Sequence, residues 1–392
     1  MSRKVLSAGI LLVYLLAIVF PLTASAQTKT VAHWRFQNVE GYYSGDLNGN
    51  NLTFFDLTGN GNDLEVKTVG FGDKLDIFKW YNAPGVGAEK AKSSLYFGNT
   101  LKAAKSVDPY DPSETTWTGA YTSGKYFNTV PTAPMNSMQF ENGFTIEVIF
   151  CVDENFNQNY NRYCGIFSRN YIHDLNEEPT LLMSVAEASG YDADGYLGSN
   201  GTVNLQYVQI NLDEMKTNKE FANGIGSGQW VHYMVTNDGD MTEVYVNGEF
   251  INTYLDCNGI LCMNPDYGWE VGVGRKPGAH RTDHKNENPP EGTIRRLFCG
   301  AISEIRVSEG YMDVTESLYY SAPKYDLTSI KPEVVAAEPV ADTEAQPIAT
   351  TEAPAGQPAA APATYDAFAI AMAAAAAAAA GATFAIKKKR SG

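Results

Sequence analysis

The sequence predicts an all-β domain built from antiparallel strands, and one stretch of the chain carries most of this prediction. Residues 230–236 mix β-branched and aromatic residues, with Val231, Tyr233 and Val235 on one face, as in a half-buried strand. Asn247-Gly248 then separates two further β-rich runs. This pair predicts a two-residue hairpin, because both central residues of a type I′ turn need a positive φ. Similar strand-length runs recur along the chain from residue 31 to residue 307.

Four segments, in the right order, resemble parts of LamG-like jellyroll domains of the concanavalin A-like lectin/glucanase superfamily. Residues 230–248 have the Trp-x-His start and the Val-Tyr-Val-Asn-Gly hairpin of these domains. Residues 56–63, 144–150 and 300–307 resemble the family's Asp-x-x-Gly-Asn-Gly-Asn-Asp turn, the strand before the hairpin and the closing strand. The resemblance implies a two-sheet antiparallel jellyroll sandwich whose first and last strands pair. Lectins, adhesins and some glycan-cleaving enzymes share this fold, so the fold leaves the function open.

The segments outside this domain have compositions of their own. Residues 1–26 have a basic start, an apolar run and a small-residue cleavage site, which predict a secretory signal peptide. Residues 27–326 are the predicted sandwich, and residues 327–364 are an Ala/Pro/Thr/Glu-rich stretch that predicts a disordered stalk. Residues 365–392 contain an Ala-rich apolar run and a basic tip, which predict a transmembrane anchor.

These segments together predict an exported protein held at the cell surface. The apolar run with its basic tip resembles the tails of Gram-positive surface proteins, and we expect such a bacterium as the source. The Leu-Pro-x-Thr-Gly sorting motif of those tails is missing, so a retained membrane anchor is the simpler expectation. A disordered Ala-rich tail is the alternative.

The charge of the chain bears on its partners. The net charge is −16, and the basic residues at the two ends make the middle of the chain more acidic still. Such a surface repels the phosphates of nucleic acids and, in general, acidic glycans. We therefore expect no nucleic-acid partner, and the acidic surface favours neutral ligands, cations or simply solubility. The expected partner is a glycan or a surface protein.

Aromatic residues in polar loops are candidate platforms for sugars, because the C–H face of a sugar ring stacks on a flat apolar surface. The alternative for the aromatic residues of 64–140 is that they plug the ends of the sandwich, and for Tyr191 and Tyr196 that they lie in a long solvated hairpin. The candidate ligand-binding residues are Trp80, Tyr81, Trp117, Tyr121, Tyr191 and Tyr196.

A Gly/Asn/Asp-rich loop is the candidate metal site. Asp56, Asn60, Asn62 and Asp63 lie close enough in sequence to offer oxygen ligands to a hard cation such as Ca²⁺. The family resemblance implies a structural Ca²⁺ and adds Glu304 as a candidate ligand. The alternative is a turn held by Asx hydrogen bonds.

The chain has five cysteines, an odd number, so at least one thiol is free or pairs between chains. Cys151 and Cys164 end the two predicted strands that flank a polar loop, where an antiparallel register would bring them within disulfide distance. Cys257 and Cys262 close a short loop. We expect these two pairs, and export would allow their oxidation.

The sequence does not predict an enzyme. The glucanases of the superfamily share a Glu-x-Asp-x-x-Glu strand, and Glu147 has no acid two or three residues further on. We expect non-catalytic carbohydrate binding. Protein–protein adhesion or a structural surface role is the second hypothesis, and glycoside hydrolysis or polysaccharide lysis is the third.

Overall fold

Two antiparallel sheets face each other in the computed structural model, as the sequence predicts. The structure describes residues 28–69, 75–82, 85–86, 93–99, 124–169, 180–211, 214–261, 268–275, 295–320 and 325–326. The predicted signal peptide, stalk and anchor lie outside these ranges. Within them, no helix has the length and apolar character needed to cross a membrane.

The eight-stranded sheet, called sheet A, contains β1 (Lys29–Arg35), β5 (Phe78–Tyr81), β7 (Ser94–Gly98), β9 (Phe144–Val152), β14 (Trp230–Asn237), β15 (Thr242–Val246), β16 (Glu249–Tyr254) and β20 (Cys299–Glu309). Its strand order is β16-β15-β14-β9-β20-β7-β5, and β1 pairs with β20 on the same side as β7.

The nine-stranded sheet, called sheet B, contains β2 (Tyr43–Ser44), β3 (Thr53–Phe54), β4 (Leu64–Val69), β8 (Gly124–Thr129), β10 (Cys164–Arg169), β11 (Leu181–Ser189), β12 (Thr202–Asn211), β13 (Glu214–Gly226) and β17 (Trp269–Val271). Its strand order is β13-β12-β11-β10-β17-β8-β4-β3-β2.

Short elements complete the described fold. Two ribbons pair β18 (Val273–Arg275) with β19 (Arg295–Leu297), and β6 (Gly85–Val86) with β21 (Tyr325–Asp326). The helical turns are α1 (Gln158–Asn161) and two 3-10 helices, Pro134–Ser137 and Val314–Glu316.

The hairpin predicted at Asn247-Gly248 is present. Strands β14, β15 and β16 form a meander, and Asn247 and Gly248 both have positive φ, 52° and 77°. The first strand pairs with the last long strand, from Lys29 opposite Glu309 to Arg35 opposite Glu304. Both predictions are confirmed.

Aromatic side chains join the two sheets. Phe127 of sheet B stacks on Phe78 of sheet A at a centroid distance of 5.1 Å and meets Phe97 edge-on at 5.9 Å. Trp34 of sheet A lies 6.1 Å from Phe167 of sheet B. Each buried ring contributes about 1.5–3 kcal/mol of transfer free energy, so this layer is a main source of stability.

Gly143 precedes β9 and allows a close approach between two segments. Its φ is +93°, and a Cβ at this position would lie 2.0 Å from the carbonyl oxygen of Asn237. Gly41 also has a positive φ, +86°, but nothing lies within 4 Å of its Cβ position.

These two glycines give a matched test of the packing. Gly143→Ala should lower the free energy of unfolding by more than about 3 kcal/mol, because backbone strain and a backbone clash add together. Gly41→Ala should cost only about 1–2 kcal/mol, because strain acts alone. Chemical denaturation of both variants measures the difference, and equal costs would contradict the close approach at Asn237.

Candidate functional site

The outer face of sheet A, which points away from the core, brings together most of the polar and aromatic residues of interest. Side chains alternate along a strand, so residues paired in register form rows across one face. One row is Lys79, Tyr96, Ala301, Cys151 and Trp230. A second row is His33, Arg306, Glu147, Met234 and Tyr245.

A buried carboxylate lies at the centre of this face. Glu147 of β9 accepts hydrogen bonds from His232 Nε2 at 3.1 Å, from Arg306 Nε at 2.6 Å and from the backbone N–H of Leu318 at 2.6 Å. Burial pushes the pKa of Glu147 upward, but the His232 hydrogen bond and the charge of Arg306 outweigh it. The pKa of Glu147 therefore lies below its ordinary value, and the side chain is ionised.

A segment beyond β20, called the strap and comprising residues 311–320, packs on this face. The backbone N–H of Met312 lies 3.1 Å from the hydroxyls of both Thr145 and Thr236. The Tyr311 hydroxyl donates to Glu243 at 2.9 Å. The Tyr319 ring stacks over His232 with the centroids 5.8 Å apart. The strap thus lies over β9, β14 and β15.

The same face carries a stacked tyrosine pair on strands β5 and β7. Tyr81 of β5 and Tyr96 of β7 have ring centroids 4.3 Å apart and an interplanar angle of 9°. Tyr96 is buried, whereas Tyr81 is partly exposed. Burial raises the pKa of the Tyr81 phenol, and the negative charge of Asp153 raises it further, so this carboxylate lies near the pair. Tyr81 is therefore a flat ring held in place by a second ring.

On the same face, a second buried carboxylate is shared by a histidine and an arginine. Glu304 Oε1 lies 2.6 Å from His33 Nε2 and 3.4 Å from Arg35 Nε. The side chain of Glu304 is 1% exposed, whereas those of His33 and Arg35 are 20% and 29% exposed. The carboxylate therefore lies beneath its partners, which face solvent.

The prediction of an exposed platform at Trp80 is wrong. Its side chain is buried among core residues, 5.2 Å from Tyr43 and 6.4 Å from Phe54. Along β5, Phe78 and Trp80 point inward and Lys79 and Tyr81 point outward, an alternation already visible in the sequence. Trp117 and Tyr121 lie outside the described residues, so their role stays a prediction.

The two remaining tyrosine candidates lie on the loop after β11 of sheet B, not with Tyr81. Tyr191 is 50% exposed and Tyr196 partly exposed. Asp192 Oδ1 accepts the backbone N–H groups of Asp194 and Tyr196 at 3.0 and 2.9 Å, which fixes the loop by Asx hydrogen bonds. Ligand binding at this loop stays a prediction.

The candidate calcium loop is a hydrogen-bonded turn in the structure. Asp56 Oδ1 accepts the backbone N–H groups of His33 and Thr58 at 3.1 and 3.0 Å. Asp56 Oδ2 accepts the backbone N–H and the side-chain amide of Asn62, both at 3.2 Å. Asp63 Oδ1 accepts the backbone N–H of Asp56 at 2.8 Å. This is the arrangement of the Asx alternative.

The other residues of the predicted metal site also form polar contacts within the protein. Asn60 and Asn62 donate from their amide nitrogens to the carbonyl of Val31, at 2.8 and 3.0 Å. Glu304 instead contacts His33 and Arg35. In the part of the chain that the structure describes, no three His, Cys, Asp or Glu residues converge as metal ligands do. Calcium binding by the loop stays a prediction.

The predicted disulfide between Cys151 and Cys164 is not formed in the structure. The two strands that flank the 153–163 loop were expected to pair with each other, but β9 belongs to sheet A and β10 to sheet B. Cys151 has a free thiol on the outer face of sheet A, whereas Cys164 lies in the core between the sheets. Cys262 lies outside the described residues, so its pairing with Cys257 stays a prediction.

Comparisons with known proteins place the chain in no family, since no family model and no curated protein matches it. One similar solved structure is domain 4 of AbnA, a GH43 extracellular arabinanase from Geobacillus stearothermophilus, in complex with arabinotriose. It is 13% identical over 74% of this chain and 96% of that chain, with a TM-score of 0.40.

Two further similar structures are binding domains. The CBM40 of Ruminococcus gnavus IT-sialidase is 15% identical over 47% of this chain and 85% of that chain, with a TM-score of 0.31. The binding domain of Paraclostridial Mosquitocidal Protein 1 is 12% identical over 74% of this chain and 50% of that chain, with a TM-score of 0.36. Similarity this low carries no inference about function.

The central carboxylate predicts how stability depends on pH. Glu147→Gln should lower the free energy of unfolding at neutral pH by about 3 kcal/mol. The substitution removes the negative charge and leaves Arg306 without its buried carboxylate partner. The folded-state pKa of Glu147 lies below the unfolded-state value, so its stabilisation is complete above the unfolded-state pKa. It is lost as the pH falls through the folded-state pKa.

Denaturation of wild type and Glu147→Gln between neutral and acidic pH measures this effect. The difference in unfolding free energy between wild type and Glu147→Gln should be largest at pH 7 and should decrease as the pH falls. Glu65→Gln, which changes an exposed pair with Lys67, is the matched control and should have little effect at any pH. A gap for Glu147→Gln that stays constant into acid would contradict the assigned ionisation.

Proposed function

We propose that this protein is an exported cell-surface protein that binds carbohydrate without cleaving it, through the partly exposed ring of Tyr81 on the outer face of sheet A. The observation that carries the proposal is the stacked pair of Tyr81 and Tyr96. A ring already fixed by stacking loses little side-chain entropy when a sugar packs on it. The polar side chains around it, Asp153, Arg35 and Lys79, offer hydrogen-bond partners for hydroxyl groups.

The engagement of the two buried carboxylates on this face favours binding over catalysis. A retaining glycosidase needs two carboxyl groups about 5 Å apart on either side of an open substrate site. Glu147 is fully buried and already accepts hydrogen bonds from His232, Arg306 and the strap. Glu304 is buried beneath His33 and Arg35. In these positions the two carboxylates stabilise the sheet.

Kinship to LamG-like domains and display at the cell surface belong to the same proposal. The pairing of β1 with β20 and the Asn247-Gly248 hairpin support the kinship. The signal-peptide pattern of residues 1–26, the stalk composition and the apolar tail support export and anchoring. A stalk would hold the tyrosine pair away from the membrane, where a glycan can reach it.

Adhesion to a surface protein is the second candidate, favoured by exposed apolar side chains on sheet A. Phe250 of β16 is 55% exposed and Leu255, just beyond this edge strand, is 71% exposed. Exposed apolar residues beside an edge strand suit contact with another protein. Retention of a surface protein that Phe250→Ser abolishes, with no glycan retained, would favour this candidate.

Tyr81→Ala tests the proposed site. Binding of the full-length protein to an array of plant and cell-wall polysaccharides should weaken by about tenfold or more, because the stacking surface is lost. Because Tyr81 is partly exposed and lies on an edge strand, the far-UV circular dichroism should stay unchanged. Tyr191→Ala, which removes an exposed tyrosine from sheet B, is the control and should bind like wild type.

Two results would contradict the proposal. Failure of the wild-type protein to retain any glycan would remove the carbohydrate function. Loss of binding in Tyr191→Ala, with normal binding in Tyr81→Ala, would move the site to the loop after β11.

A further inference from the structure

A carboxylate lies near one end of the stacked tyrosine pair, and the strand register gives its place. In sheet A, Gly98 of β7 lies opposite Cys299 of β20, and Val152 of β9 lies opposite Gly300. Asp153 follows Val152, so it continues the row of Gly98 and Cys299 across the sheet. Residues in one such row share a face, and neighbouring ones are roughly 5 Å apart.

The Tyr96 ring leans along this row toward Asp153. A Cβ on Gly98 would lie 3.2 Å from Tyr96 Cε1, and the Tyr96 hydroxyl lies 3.9 Å from Cys299 Sγ. Burial raises the pKa of the Tyr81 and Tyr96 phenols, and the negative charge of Asp153 raises both further. Since Tyr81 stacks on Tyr96, the carboxylate lies beside a ring that is partly exposed.

One oxygen of this carboxylate is held by the protein, and the other is free. Asp153 Oδ1 accepts the backbone N–H of Asn155 at 2.8 Å and its side-chain amide at 2.6 Å. Among the described residues, none donates a hydrogen bond to Asp153 Oδ2, and no cationic side chain pairs with it. Solvent reaches Oδ2 although the residue is only 8% exposed. The side chain is therefore fixed in one orientation, with one acceptor open to a ligand.

The other charges of these segments do not neutralise the free acceptor. Arg35 already contacts the buried carboxylate of Glu304. Lys79 of β5 is exposed, but so are two acids, Asp76 before β5 and Glu154 after β9. A carboxylate oxygen without a paired cation accepts a hydrogen bond from a sugar hydroxyl and repels a carboxylate or sulfate. The local charge therefore favours a neutral sugar.

We infer that Asp153 selects the sugar bound at Tyr81, because its Oδ2 accepts a hydrogen bond from a ring hydroxyl and repels an anionic group at that position. The class of ligand is a neutral glycan. This inference rests on the proposed carbohydrate function and narrows it. Asp153 is thus the specificity-determining residue of the proposed site.

The test measures binding of the full-length protein to immobilised glucan, mannan, galactan, xylan and arabinan. Each polysaccharide is offered in three forms: unmodified, hydroxyethylated and carboxymethylated. The last two forms carry substituents of similar size and differ in charge. The variant is Asp153→Asn, which keeps an oxygen for the Asn155 contacts and removes the charge. Asp192→Asn is the matched control, because Asp192 accepts the same kind of backbone hydrogen bonds on the loop after β11.

Wild type should bind at least one of these polysaccharides, and its carboxymethylated form about tenfold more weakly than its hydroxyethylated form. Higher salt should reduce this difference, because salt screens the repulsion. Asp153→Asn should bind the unmodified polysaccharide about fivefold more weakly than wild type and should lose the discrimination between the two modified forms. Asp192→Asn should match wild type in both respects.

The outcomes separate the inference from the function on which it rests. Equal binding of the two modified forms by wild type, or discrimination that Asp153→Asn retains, would overturn the inference and leave carbohydrate binding intact. Loss of discrimination in Asp192→Asn as well would also overturn it. Retention of none of the polysaccharides, in any form, would overturn both.

Discussion

The carboxylate of Glu147 is the interaction on which the functional face depends. Burying a charge costs several kcal/mol unless donors surround it, and here the donors come from three separate parts of the chain. His232 belongs to β14, Arg306 to β20, and the N–H of Leu318 to the strap. Satisfying this one carboxylate fixes the strap on the sheet.

The outer face of sheet A also carries a stacked tyrosine pair and a buried carboxylate with two partly exposed partners. Tyr96 holds the Tyr81 ring from one side, so the opposite side of the ring is presented in a fixed orientation. Glu304 holds Arg35 and His33 from beneath and leaves them facing solvent. In both cases the supporting residue is buried and the residue that it supports is partly exposed.

The local sequence pattern predicted those parts of the fold that depend on residues close together in the chain. The alternation over 230–236 and the Asn247-Gly248 pair fixed the β14–β16 meander, because turn type and strand period are local properties. The partners of Glu147 are distant in sequence, and no local pattern marks residues 311–320 as a cover. The Cys151–Cys164 prediction failed for the same reason: sequence proximity suggested a hairpin, but β9 and β10 belong to different sheets.

The candidate site was predictable only in part. Tyr81 was identified as an aromatic residue in a polar context, but Trp80 was grouped with it, although the alternation in β5 separates the two. Tyr96, Arg35 and Lys79 were missed, because their role comes from strand pairing across the sheet. In the Asp56 loop, the same residue types could bind a cation or form an Asx turn. Only the hydrogen bonds in the structure distinguish these two arrangements.

A crystal structure of the protein with a bound oligosaccharide tests the central claim most directly. The account predicts a sugar ring stacked within about 4 Å of Tyr81 and the strap still seated over Glu147. A sugar bound at the loop after β11, or on the face that a displaced strap uncovers, would contradict it.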